Sequence, residues 1–279
     1  MKYQLGLYEK SMPNELSFAE KFAETRMAGF DHLEISIDET DEKLARLDWT
    51  AQQRMALLKD MDQAGVRLRS MCLSGHRKYP FGSRDVQLRN RALEIMEKAI
   101  QLAEDLGIRI IQLAGYDVYY EEGAEDTEKL FSENLQIAVE KAASHGILLG
   151  FETMETPFMD TVEKAMKYVN QMDSPYLGVY PDIGNLKNAS LLYGKSVNDD
   201  LATGKGHIFA AHLKETVPGK YREIPFGTGH TEFSSQLKLL KDFRVNLFVG
   251  EFWHTGSEQW REDLAFANSF LRKRIDDIY

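Results

Sequence analysis

The stretch "GILLGFETMETPF" (residues 146–158) sets a glycine, an unbroken apolar run from Ile147 to Phe151, and then two glutamates, Glu152 and Glu155, ahead of Pro157. An apolar run of that length between glycine and polar residues reads as a short buried strand, with carboxylates at its C-terminal end. Seven further runs share its form: Gln4 to Tyr8, His32 to Ile37, Val66 to Leu73, Ile108 to Ala114, Leu177 to Pro181, Ile208 to Leu213 and Leu247 to Trp253. The segments between them carry helical patterns. Residues 17–28 begin with Ser17 and place Glu20 three positions later, a capping box. Gly29, Gly65, Gly107 and Gly146 each follow a helical pattern shortly before the next strand, where a left-handed cap wants glycine. Short strands alternating with helices pair in parallel, because the crossover returns the chain to the same edge. Eight such βα pairs match a (β/α)8 TIM barrel, an α/β fold of about 250 residues. A doubly wound open sheet would more often have six strands and a glycine-rich turn after the first; "LYEKSMP" (residues 7–13) stands there instead. With no linker or shift of composition, residues 1–279 are expected to form one TIM-barrel catalytic domain.

The 279 residues are 43% hydrophobic and carry a net charge of −10. That charge opposes binding to nucleic acid or anionic membrane, although a local basic pocket can still hold a small phosphate. The single cysteine, Cys72, excludes an intrachain disulfide and reads as a small core residue. No signal-like N-terminus and no 18-residue apolar stretch is present, so a soluble cytoplasmic protein is expected.

Chemistry in such a barrel belongs at the C-terminal ends of the strands. Four consecutive strands end in metal-type ligands there: Glu152 in "GFETME", Asp182 in "VYPDIGN", His212 in "AAHLKE" and Glu251 in "FVGEFW". Any one of them alone reads as a helix cap or a solvated loop residue. Together they form an oxygen-rich set with one imidazole, and three carboxylates that close repel unless a cation lies among them. Strand alternation puts Glu152 on the face of Gly150 and Met154, which makes it the ligand candidate. Glu155 falls past the strand as a supporting or loop residue. The same alternation puts Lys214 on the face of His212, within reach of substrate oxygens. His207 precedes its strand and belongs to the opposite, stability end of the barrel.

With these residues in place, the sequence resembles the xylose isomerase-like sugar epimerases, and among them the L-ribulose-5-phosphate (L-xylulose-5-phosphate) 3-epimerases. The resemblance is carried by "LGLYEK" (5–10), "EISIDETDEKLARLDW" (34–49), "SMCLSGHRKYPFGS" (70–83), "IQLAGYDVYY" (111–120), "YPDIGNL" (180–186), "GHIFAAHLKET" (206–216) and "PFGTG" (225–229), which span nearly the whole chain. It implies one divalent ion, zinc or manganese by preference and cobalt or magnesium as alternatives, on Glu152, Asp182, His212 and Glu251. It also implies Glu152 and Glu251 as the catalytic pair, L-xylulose 5-phosphate and L-ribulose 5-phosphate as substrates, a metal-stabilised cis-enediolate, a homodimer, and a place in L-ascorbate or pentose catabolism. No cofactor beyond the metal is expected. For the phosphate, the loop after strand 3 offers His76, Arg77 and Lys78; "KYREIPFGTG" adds Lys220 and Arg222; Tyr116, with Tyr119 and Tyr120, stands ready as a pocket wall.

Three rivals remain open on sequence. A related ketose epimerase or an aldose–ketose or hydroxypyruvate isomerase would keep the metal set but act on an unphosphorylated substrate. An endonuclease IV-like repair enzyme would need more clustered histidines and a basic face, whereas His32, His145 and His254 are scattered. A non-enzymatic binding barrel would hold its ligand without the metal.

Overall fold

All eight apolar runs form strands in the computed structural model, which describes residues 3–279. They are β1 Gln4–Tyr8, β2 His32–Ile37, β3 Arg67–Leu73, β4 Ile110–Ala114, β5 Leu148–Glu152, β6 Leu177–Val179, β7 Ala211–Leu213 and β8 Leu247–Gly250. Every ladder between them is parallel, in the order β6-β5-β4-β3-β2-β1-β8-β7. The last seam, between β6 and β7, is closed by backbone groups: Val179 donates to the His207 carbonyl at 2.8 Å, Phe209 to Val179 at 3.0 Å and His212 to Pro181 at 2.9 Å. The sheet is therefore a closed barrel with no free edge. Around it run α1 Phe18–Met27, α2 Asp41–Leu44, α3 Ala51–Ala64, α4 Val86–Leu106, α5 Glu125–Ser144, α6 Val162–Met172, α7 Ile183–Tyr193, α8 Val197–Thr203, α9 Phe233–Asp242 and α10 Trp260–Asp276. Among the described residues, no helix is long and apolar enough to cross a membrane.

Local signals set the helix ends. Ser17 and Glu20 close a capping box on α1, as their spacing suggests, and Thr50 with Gln53 does the same for α3. Gly65 and Gly107 end α3 and α4 at φ +66° and +71°, a left-handed conformation that a side chain would strain. The sixth and seventh strands are shorter than their apolar runs. Pro181 has no N–H to continue a ladder, and Asp182 leaves the sheet to cap α7.

The two faces of the sheet differ in chemistry. On β2, Leu33, Ile35 and Ile37 join the large apolar cluster between strands and helices, while His32, Glu34 and Ser36 are fully buried on the alternate face. With Ser70, Gln112, Tyr180 and His212 they give the barrel an interior far more polar than the branched aliphatic filling usual for this fold.

Candidate metal centre

Glu152 is the last residue of β5, Asp182 lies just beyond β6, His212 is the middle residue of β7, and Glu251 is the first residue after β8. Each offers a ligand atom, and the four atoms all lie within 4.8 Å of one another. His212 Nδ1 is 3.6 Å from Glu152 Oε1 and 3.3 Å from Glu251 Oε2. The backbone fixes these positions. Asp182 donates its N–H to Thr153 Oγ1 at 3.0 Å, and Glu251 donates to the Leu213 carbonyl at 3.0 Å. Asp182 divides its carboxylate: Oδ1 accepts from the Asn185 N–H at 2.8 Å and caps α7, which leaves Oδ2 turned to the cluster. The helix-cap role and the candidate ligand role thus sit on one side chain.

Lys214 enters the same cluster, with Nζ 2.7 Å from Asp182 Oδ2 and 3.2 Å from Glu251 Oε2. Burial, together with the charges of Glu251 and Glu152, pushes the Asp182 carboxyl up to about 8 against the pull of Lys214. Burial also raises Glu152. Burial acts the same way on Glu251, but Lys214 and His212 overcome it and hold that carboxyl well below its usual range. One ammonium and one imidazole are too little positive charge to keep three buried carboxylates ionised. Among the described residues, Asp182 Oδ2 and Glu251 Oε2 meet the Lys214 ammonium as an ion pair and accept no well-aligned hydrogen bond. Three carboxylates and an imidazole with lone pairs turned to a common point fit a divalent cation of the Zn, Mn, Co or Mg kind.

Above the cluster opens a chamber whose walls include Lys10, Arg77, Glu155, Tyr221, Arg222 and Trp253. Arg77 reaches it from between two aromatic faces, 5.7 Å from the Tyr116 ring centre and 4.9 Å from Tyr119. Arg222 lies 5.8 Å from the Trp253 ring centre. Tyr116, expected as a pocket wall, is not among the chamber's lining residues; it backs two that are, donating its hydroxyl to Glu155 at 2.8 Å and accepting from Arg77 at 3.4 Å. The other two basic residues of the strand-3 loop lie elsewhere. His76 is buried, with Nε2 3.1 Å from the Ala92 carbonyl and its ring 4.4 Å from Phe81, and burial pushes its imidazole down to about 4. Lys78 is half exposed beside Asp41 and the Tyr79 ring. Among the described contacts, Lys220 exchanges backbone hydrogen bonds with Val217. His207 is exposed, and its carbonyl pairs at the β6 seam.

Three residues carry more of the site than their sequence positions suggested. Glu155, expected as a supporting or loop residue, lines the chamber and accepts from Tyr116, Tyr119 and Arg222. Cys72 is buried yet borders the chamber, and burial raises its thiol well above the usual value, as expected of an inert sulfhydryl. Glu34 touches His212 Nε2 at 2.6 Å from the far side of the ring. The available signal for Glu34 was the alternation of "HLEISI" (32–37), which gives one face of an otherwise apolar strand three polar residues.

Comparisons with known proteins agree with the fold. Residues 22–273 match the family model described as the xylose isomerase-like TIM barrel. The chain is 44% identical to the putative L-ribulose-5-phosphate 3-epimerase SgbU of Escherichia coli K12, with 99% of this chain and 97% of that protein aligned. It is 41% identical to the L-ribulose-5-phosphate 3-epimerase UlaE of E. coli O8, over 97% and 94% of the two chains. Among solved structures, D-psicose 3-epimerase from Clostridium cellulolyticum H10 superposes with a TM-score of 0.79 at 16% identity, covering 98% of this chain and 99% of that one. By matched residues, identity and coverage, the chain belongs to the xylose isomerase-like TIM-barrel family, in its branch of L-ribulose-5-phosphate 3-epimerases.

Proposed function

We propose that the protein is a divalent-metal-dependent isomerase that interconverts L-xylulose 5-phosphate and L-ribulose 5-phosphate at C3, in one catalytic unit spanning residues 1–279. The observation that carries the reading is the pair Glu152 and Glu251, both buried at the mouth with carboxylate oxygens 3.6 and 3.3 Å from His212 Nδ1. Epimerising the carbon beside a ketone requires a proton to leave one face and another to arrive on the opposite face, through an enediolate. Two carboxylates flanking the substrate suit that chemistry, since one takes the proton, the other returns one, and the reverse reaction exchanges their roles. Glu152, Asp182, His212 and Glu251 would hold the cation, which would supply Lewis-acid stabilisation of the negative charge that develops in the enediolate. Lys214, buried and donor-only, orients a substrate oxygen beside that pair. Arg77 and Arg222, each held against aromatic rings, are the phosphate anchors, with Tyr116 fixing Arg77. In this reading His76 and Lys78 shape the loop that carries Arg77.

One observation favours an unphosphorylated ketose instead: Glu155 already sets a carboxylate 3.3 Å from Arg222. The proposal carries with it zinc or manganese as the resident ion, a homodimer, a cytoplasmic location and a role in pentose or L-ascorbate catabolism.

Proton NMR of L-xylulose 5-phosphate in D2O tests it. The expected result is deuterium at C3 with accumulation of L-ribulose 5-phosphate, loss of exchange after chelation, and a fall of at least about 100-fold in Glu152→Gln and in Glu251→Gln. Deuterium at C1 would make the enzyme an aldose–ketose isomerase. A tenth of normal activity in either variant would remove that glutamate from the proton transfer.

A further inference from the structure

We propose that Glu34 is a positioning residue that fixes which nitrogen of His212 faces the metal centre, holding Nε2–H so that Nδ1 presents its lone pair to the cluster. The inference rests on the metal-centre reading and adds to it a residue from the opposite wall of the barrel.

Glu34 lies on β2 and is fully buried. A carboxylate there gains nothing from apolar packing and is costly unless its oxygens are satisfied. They are. Oε2 accepts from the Ser70 hydroxyl at 2.5 Å and from the Tyr180 hydroxyl at 2.9 Å, while Oε1 lies 2.6 Å from His212 Nε2. Ser70, Tyr180 and His212 are likewise fully buried, so no solvent competes for these contacts. A carboxylate that accepts from two hydroxyls has only acceptor capacity to offer the imidazole, and Nε2 is therefore the donor. The lone pair of the neutral ring then belongs to Nδ1, the nitrogen that lies 3.3 Å from Glu251 and 3.6 Å from Glu152. Tyr180 packs edge-on against the imidazole, with ring centres 5.0 Å apart. The Gln112 amide nitrogen lies 3.1 Å from Nδ1 and 3.3 Å from Nε2, so it singles out neither nitrogen. Four strands or strand ends, β2, β3, β6 and β7, thus contribute to the setting of one ligand atom, which accounts for Glu34, Ser70 and Tyr180 among the polar residues inside the barrel. Loss of a partner that orients a histidine ligand typically weakens metal binding about 10- to 100-fold.

The test is Co2+ binding to the metal-stripped full-length protein, followed by visible absorption with a competing chelator. Glu34→Leu, which offers Nε2–H no acceptor, is expected to weaken binding about 10- to 100-fold and to change the Co2+ ligand-field bands. Glu34→Gln keeps an acceptor oxygen at the same place and is expected to restore the wild-type bands and most of the affinity. Wild-type affinity and spectrum in Glu34→Leu would overturn the proposal. So would equal weakening in both variants, because a charge effect alone would then account for the loss. If Glu34→Leu fails to fold by circular dichroism, Tyr180→Phe combined with Ser70→Ala removes the hydroxyls that hold Glu34. Weaker Co2+ binding in that double variant supports the role, and unchanged binding overturns it. A wild-type protein that binds no Co2+ at all would instead remove the metal centre itself, a result distinct from any difference among variants.

Discussion

Arg77 and Arg222 approach the chamber from different loops, Arg77 against the Tyr116 and Tyr119 rings and Arg222 against Trp253, where Arg222 also meets the Glu155 carboxylate at 3.3 Å. A charged hydrogen bond to phosphate contributes roughly 1.5–3 kcal/mol. Arg77→Gln and Arg222→Gln are therefore each expected to raise KM for L-xylulose 5-phosphate about 10- to 100-fold, with kcat changed only a few-fold and KM for free L-xylulose unmoved. Steady-state kinetics on both substrates decides it: an equal rise for the free sugar would show that the arginines hold the chamber's shape and do not read phosphate. At this scale the sequence was legible where chemistry follows strand position. Glu152, Asp182, His212 and Glu251 each end or adjoin a strand, and a closed barrel brings such residues together. It was less legible where a contact depends on side-chain reach across the barrel, as between Glu34 and His212, 178 residues apart. His76 and Arg77 show the same limit. They are neighbours in a basic loop, but one turns inward onto Ala92 and the other toward the chamber, and composition does not record direction.

The first βα unit shows how elements are joined beneath the site. Glu9 follows β1 directly and is fully buried, with Lys21 of α1 at 3.0 Å, Lys43 of α2 at 2.7 Å and Arg46 at 2.7 Å. The Ser36 N–H of β2 also donates to Glu9 at 2.8 Å. Burial alone would raise the Glu9 carboxyl, but Arg46, Lys21 and Lys43 outweigh it and hold it well below its usual range. In the sequence, Lys21, Lys43 and Arg46 resemble ordinary solvated helix residues. Their burial became visible only when α1 and α2 closed over the end of β1. Strand existence, by contrast, was legible throughout, because length and bounding glycines carry it. The end of β6 was not, since Pro181 and the Asp182 cap cut its apolar run short. Removing the Glu9 charge leaves three cations gathered without a counterion. Glu9→Gln is expected to cost about 3–5 kcal/mol in urea-induced unfolding at pH 7. A cost below about 1 kcal/mol would mean that Lys21, Lys43 and Arg46 find other partners, and that this knot does not hold the unit together.

Over the whole molecule the two ends of the barrel differ in what they hold. The top gathers ligand-type side chains, while the bottom encloses His32, the first residue of β2. Its ring lies so close to Gly6 that an added Cβ there would come within 2.2 Å of Nε2. Among the described residues, neither ring nitrogen of His32 has a hydrogen-bond partner, and burial pushes its imidazole down to about 3 from 6.5. His76 behaves alike, down to about 4. The sign follows from proton uptake. Below pH 6.5 the unfolded chain protonates these histidines while the folded one does not, so stability present above pH 6.5 is lost as pH falls toward the folded values. At pH 5 each histidine withdraws about 2 kcal/mol. Glu9, held low in the fold, adds to the loss only below its unfolded value of 4.5. His32→Leu removes one titrating group without orphaning a partner. The difference in unfolding free energy between pH 7 and pH 5, measured in urea, is therefore expected to shrink by about 2 kcal/mol relative to wild type. An unchanged difference would show that His32 is protonated in the folded protein at pH 5, which would require solvent or a carboxylate such as Asp31 to reach the barrel floor.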